Sequence, residues 1–73
     1  MPEQSDDLKK LVAVATDLGL SAKLRTKAIE LIGNISTHEA LLALLGLVAN
    51  DQLTKGEREL ALKYAREIVR LRR

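Results

Sequence analysis

The chain matches itself at a spacing of 33 residues without a gap, and this self-match constrains the fold more than any other feature. Leu8 aligns with Leu41, Leu11 with Leu44 and Leu20 with Leu53. Arg25 aligns with Arg58, Ala28 with Ala61 and Ile35 with Ile68. Similar residues fill in, as Asp17 with Asn50, Ser21 with Thr54 and Ile29 with Leu62. The apolar positions recur at helical spacing, so each copy reads as a pair of amphipathic helices. A chain of 73 residues has room for two copies and one small domain, residues 1–73.

Local signals divide the chain into four helices. The only proline is Pro2, and the strongest breakers are Gly19, Gly33 and the polar run Asn50 to Gln52. Helix one is expected over Asp6 to Leu18, with Ser5 as its cap, Asp6 and Asp7 favouring the helix dipole, and Gly19 ending it in the left-handed conformation. Helix two is expected over Ala22 to Ile32, capped by Ser21 and ended by Gly33 and Asn34. Helix three follows a capping box of Ser36 with Glu39 and stops near Asn50. Helix four opens with a second box, Thr54 with Glu57, and runs towards Arg73. The fold class is therefore all-α: two antiparallel helix hairpins, residues 5–34 and 36–72, arranged as a right-handed stack or a compact four-helix domain.

Composition narrows the function. Tyr64 is the only aromatic residue, so the core must be aliphatic. No cysteine is present, which removes disulfides and thiolate metal sites and suits a reducing compartment. The segment "MPEQSDD" lacks the basic-then-apolar order of a signal peptide. The longest apolar run, Ala40 to Ala49, is far below the roughly 20 residues that span a bilayer. The expectation is a cytoplasmic protein with no membrane contact. His38 is the only histidine and stands beside a cap, where a solvated surface role suffices. No Gly-rich phosphate loop occurs, and the acids Glu3, Asp6 and Asp7 are explained by a helix start. Neither an enzyme nor a bound cofactor or metal is expected.

The segment "DLGLSAKLRTKAIELIGNI" resembles the HEAT-repeat pattern, in which an Asp, an apolar–Arg pair, a small Ala and Leu-Gly-Ile follow in order. Asp17, Leu24, Arg25, Ala28, Ile32, Gly33 and Ile35 fill it. "NDQLTKGERELALKYAREI" is similar, but Glu57 replaces the apolar residue and Arg66 the glycine. The short period is nearest to the HEAT-like repeats of phycobilin lyases. The resemblance implies a stacking shape rather than an activity. It further implies polar contacts between neighbouring units, which here would fall to Asp17, Arg25, Asp51 and Arg58.

Two surfaces are candidates for partners. Helix three is apolar all round, which demands cover on several sides. It suits the central helix of a four-helix domain, packed by helices one, two and four. Alternatively, Leu42, Ala43, Gly46 and Leu47 form an interface with a protein partner or with a second copy in a homodimer. On helix four, Lys63, Arg66, Arg70 and Arg73 share one face by their spacing. A solvated ridge, with Glu59 and Glu67 pairing to Lys63 and Arg70, is favoured there over contact with phosphates or with an acidic protein.

The stretch "VATDLGLSAKLRTKAIELIG" also admits a helix-turn-helix reading. Ala15, Gly19 and Ser21 fit such a turn. The sixth residue after the glycine should be apolar and buried, yet it is Arg25, with Leu24 one step early. One step is about 100° of helix rotation. The segment is also loosely similar to the cyclin-like repeats of archaeal transcription factor B. In that alternative, Lys23, Thr26 and Lys27 of helix two would face DNA. The favoured expectation is a non-enzymatic helical-repeat protein acting as a protein–protein interaction or scaffold module.

Overall fold

A computed structural model describes residues 2–71. Four helices follow one another: α1 Pro2–Ala15, α2 Ala22–Ile35, α3 His38–Val48 and α4 Lys55–Leu71. Among the described residues there is no strand. α1 packs on α2 and α3 on α4, while α2 also contacts α3 and α4. The Cα radius of gyration is 11.3 Å, close to the roughly 11 Å expected of a compact chain this long. No helix among the described residues is long and apolar enough to cross a membrane.

The helix ends differ from expectation in ways that chemistry explains. α1 starts at Pro2, before the anticipated Ser5 cap, because proline is tolerated in a first turn. It ends at Ala15, where the Thr16 hydroxyl donates to the Val12 carbonyl at 2.9 Å. Gly19 does not take a positive φ. Asp17 makes the turn instead, its Oδ1 accepting the Gly19 N–H at 2.9 Å and its carbonyl accepting the Leu20 N–H. α2 runs through Gly33 and Asn34 to Ile35, and Ser36 ends it in the left-handed region at φ 59°. The Ser36 hydroxyl donates to the Gly33 carbonyl, which occupies it. The cap of α3 is therefore Thr37, whose Oγ1 accepts the Ala40 N–H at 3.1 Å. The box at α4 forms as expected: the Glu57 N–H donates to Thr54 Oγ1 and the Thr54 N–H to Glu57 Oε1.

The core is aliphatic. Ile29, Ile32, Leu44 and Ile68 are its largest fully buried side chains, with Ala15, Ala28, Ala40, Ala61 and Ala65 around them. The central helix is α2, not α3. α3 buries only Ala40, Leu44 and Leu47, one stripe at helical spacing, and leaves Leu42 and Leu45 exposed. Its main neighbours are α4 and α2. α2 holds the centre because its Gly33 lets α4 approach. A Cβ on Gly33 would stand 2.6 Å from the Tyr64 ring. Gly33 is thus a contact residue inside a helix and not a terminator.

Gly33→Ala should destabilise the fold by about 1–3 kcal/mol through overpacking against Tyr64. Urea denaturation should show a smaller loss when the same change is made in a Tyr64→Ala background. An equal loss in both backgrounds would contradict the contact.

Candidate functional site

The most specific polar arrangement joins α2 to the first turn of α4. Ser21 caps α2, which sets Arg25 in its opening turns; Thr54 caps α4, which sets Glu57 at the equivalent depth plus one step back. Arg25 Nε donates to Glu57 Oε2 at 3.0 Å and Nη2 reaches the same oxygen at 2.9 Å. Arg25 Nη1 donates to the Leu20 carbonyl. The other carboxylate oxygen of Glu57 accepts the Thr54 N–H at 3.0 Å. Both side chains are buried, Arg25 at 8% exposure and Glu57 at 3%.

The electrostatics favour a charged pair. Burial alone pushes the Glu57 carboxyl up, but the Thr54 N–H and the Arg25 guanidinium outweigh it and hold the group below its ordinary value. A carboxylate also suits the positive end of the α4 dipole. Arg25 near the start of α2 has the opposite problem, and its contacts with Glu57 and the Leu20 carbonyl offset it.

The self-match extends to the connections. Asn50 repeats the role of Asp17, its Oδ1 accepting the Gln52 N–H at 2.9 Å and its carbonyl accepting the Leu53 N–H. Of the four expected inter-unit polar residues, Arg25 alone crosses between units among the described residues. Asp17 is occupied by its own turn. Asp51 is exposed and belongs to none of the ion pairs found among the described residues. Arg58 has a buried Nε with no hydrogen-bond partner among the described residues. The crossing partner is Glu57, which the sequence marks twice, as a cap and as a departure from the repeat at the place of Leu24. Sequence spacing gives no sign that its second oxygen faces Arg25.

The other candidates scatter. Leu42 is 55% exposed and Gly46 is open, one turn apart, whereas Ala43 is half-buried and Leu47 belongs to the core. Leu47 therefore leaves the expected interface, because it sits on the inward stripe of α3. On α4, Arg70 pairs with Glu67 at 2.9 Å. Lys63 makes no pair with Glu59; its Nζ lies 5.9 Å from the Tyr64 ring centre. Arg66 is exposed, and Arg73 lies outside the described residues. On α2, Lys23 is exposed, Lys27 pairs loosely with Glu30 at 3.4 Å, and the Thr26 hydroxyl donates to the Ala22 carbonyl of its own helix. His38 is exposed at the start of α3. No group of three or more potential metal ligands gathers among the described residues.

Two shallow apolar hollows mark the outer faces. One, of about 310 Å³, lies between α3 and α4 among Leu41, Leu45, Leu62 and Val69, edged by Arg66 and Arg70. The other, of about 430 Å³, lies between α1 and α2 among Leu11, Leu31 and Ile35. No protein-family model, curated protein or solved structure matches the chain.

Removing one partner of a buried ion pair typically costs about 3–5 kcal/mol. Arg25→Met should therefore bring the chain close to unfolding, and the Arg25→Met/Glu57→Leu double variant should recover much of the loss in thermal melts. Acid adds a second check. Glu57 favours the folded state above its ordinary value of 4.5 and loses that advantage as pH falls through its lower folded value. Stability measured from pH 7 down to pH 3 should fall less steeply in Glu57→Gln than in the native sequence.

Proposed function

We propose that the chain is a non-enzymatic, HEAT-like helical-repeat module whose outer faces bind another protein. One observation carries this reading: equivalent positions of the two copies differ in burial. Leu44, Leu53 and Ile68 are buried, whereas their partners Leu11, Leu20 and Ile35 are only half-covered. Ile29 is fully buried, whereas its partner Leu62 is half-buried. Such a pattern supports two hairpins stacked in the same sense, with one face of each copy closed on its neighbour and the equivalent face of the other left open. Large exposed side chains gather on the open faces, among them Leu24, Leu31, Leu45 and Val69. Leu31 lines one of the shallow hollows and Leu45 and Val69 the other, and exposed apolar surface gathered in this way marks interaction sites. A cysteine-free chain suits a reducing compartment, and the proposal places the module in the cytoplasm.

The DNA-binding alternative has weaker support. The helix-turn-helix requires a buried apolar residue where Arg25 stands, and Leu24 beside it is 51% exposed. Of Lys23, Thr26 and Lys27, the threonine hydroxyl serves its own helix and Lys27 already has a carboxylate neighbour.

Size-exclusion chromatography with light scattering, run at low ionic strength with and without duplex DNA, separates the readings. An 8.1 kDa monomer that ignores DNA is expected. A mass shift with DNA that disappears as salt rises, or in a Lys23→Ala/Lys27→Ala variant, would overturn the interaction reading. A dimer without DNA would assign the open faces to self-association.

A further inference from the structure

The two copies carry equivalent arginines with unequal partners. Arg25 bridges from the Leu20 carbonyl to Glu57 of the second copy. Arg58 stands 33 residues on, in the opening turns of α4, yet its Nε is buried and meets no acceptor among the described residues. Buried donors are nearly always bonded in folded proteins, so an exception asks for an explanation. A hollow of about 300 Å³ adjoins Arg58, between Val48, Lys55 and Leu62. Leu62 also lines the hollow between α3 and α4, so the two hollows adjoin along this face. The floor of the α3–α4 hollow, Leu62 and Ala65, repeats Ile29 and Ile32, which the second copy covers with α4.

We propose that the α3–α4 groove binds an acidic amphipathic helix of a partner protein. Its apolar side covers Leu45, Leu62 and Val69, and a carboxylate in its first turn pairs with the Arg58 guanidinium where that group lines the hollow. The charge around the groove matches an acidic ligand. Lys55, Arg58 and Arg66 edge it without an acidic partner among the described residues, Arg70 is already paired with Glu67, and Glu59 is the one acid in the lining. A second copy of the chain is a poorer fit. In the repeat register it would set Leu24 against Arg58 and Leu31 against Arg66, with no carboxylate at either place. The inference rests on the interaction-module reading but adds the face, the ligand chemistry and the residue that selects it.

A synthetic peptide of residues 52–71 carrying Y64A, R66E and R70E serves as the probe. It keeps the Thr54–Glu57 start, removes the ring that Arg66 would obstruct, and is acidic. Fluorescence anisotropy with the full chain should show saturable binding. Arg58→Met in the chain, or E57Q in the peptide, should each weaken it at least tenfold, and Leu45→Glu should abolish it. Arg58→Glu in the chain should restore binding to a peptide carrying E57R. Far-ultraviolet circular dichroism checks that each variant stays helical, and the peptide-side changes need no variant of the chain at all. No saturable binding, or equal binding by the native chain and Arg58→Met, would overturn the proposal. Self-association of the chain that Leu45→Glu abolishes would also overturn it, in favour of a second copy. These failures leave the broader interaction reading standing, whereas a DNA-dependent mass shift would remove that reading itself.

Discussion

Everything in this fold turns on one buried ion pair, Arg25 with Glu57. Each partner sits near the beginning of a helix, and each has a further bond that fixes it locally, to the Leu20 carbonyl and to the Thr54 N–H. The pair can close only when α4 lies on α2 in one register. Its worth is in specifying that register. Burying two charges gains little net stability over an apolar contact, but leaving one of them alone is costly. The aliphatic core, by contrast, is tolerant of small shifts, since Leu, Ile, Val and Ala repack easily. The Gly33–Tyr64 contact is a second constraint on the same helix pair, and it acts through shape where the ion pair acts through charge.

Both constraints fall where the second copy departs from the first. Glu57 stands at the place of Leu24, and Tyr64 at the place of Leu31. A perfectly regular repeat would put leucines there and would leave Arg25 without an acid. The departures thus fix the register in which the shared aliphatic core joins the two copies. They also explain the unequal fates of the two arginines. Arg25 has a following unit that carries the right acid, whereas Arg58 lines a hollow and its buried Nε meets no acceptor among the described residues.

Much of the architecture was legible in the sequence. Apolar periodicity placed all four helices, and the 33-residue match anticipated that Asp17 and Asn50, and Ser21 and Thr54, play paired roles. Boundaries were less legible because turn chemistry competes locally. Gly19 looked like a helix terminator, but an Asp two residues earlier folds the chain without a positive φ. Gly33 looked like another, but a ring from a distant helix needed its space. Ser36 and Thr37 are both good caps, and the left-handed turn at Ser36 decided between them. The acidic partner of Arg25 was hidden for a different reason. Glu57 already had a satisfying local role as a capping residue, and nothing in one dimension reveals that a carboxylate has a second oxygen to offer.

Arg25 and Glu57 are locked together in the interior, and the Arg25 Nε–H reports on that lock directly. In a ¹H–¹⁵N correlation spectrum at neutral pH this proton should give a distinct resonance protected from solvent exchange. The protection should collapse in Glu57→Gln and as pH falls below the ordinary carboxylate range. A resonance that exchanges as fast as that of an exposed arginine, or one indifferent to Glu57, would contradict the account.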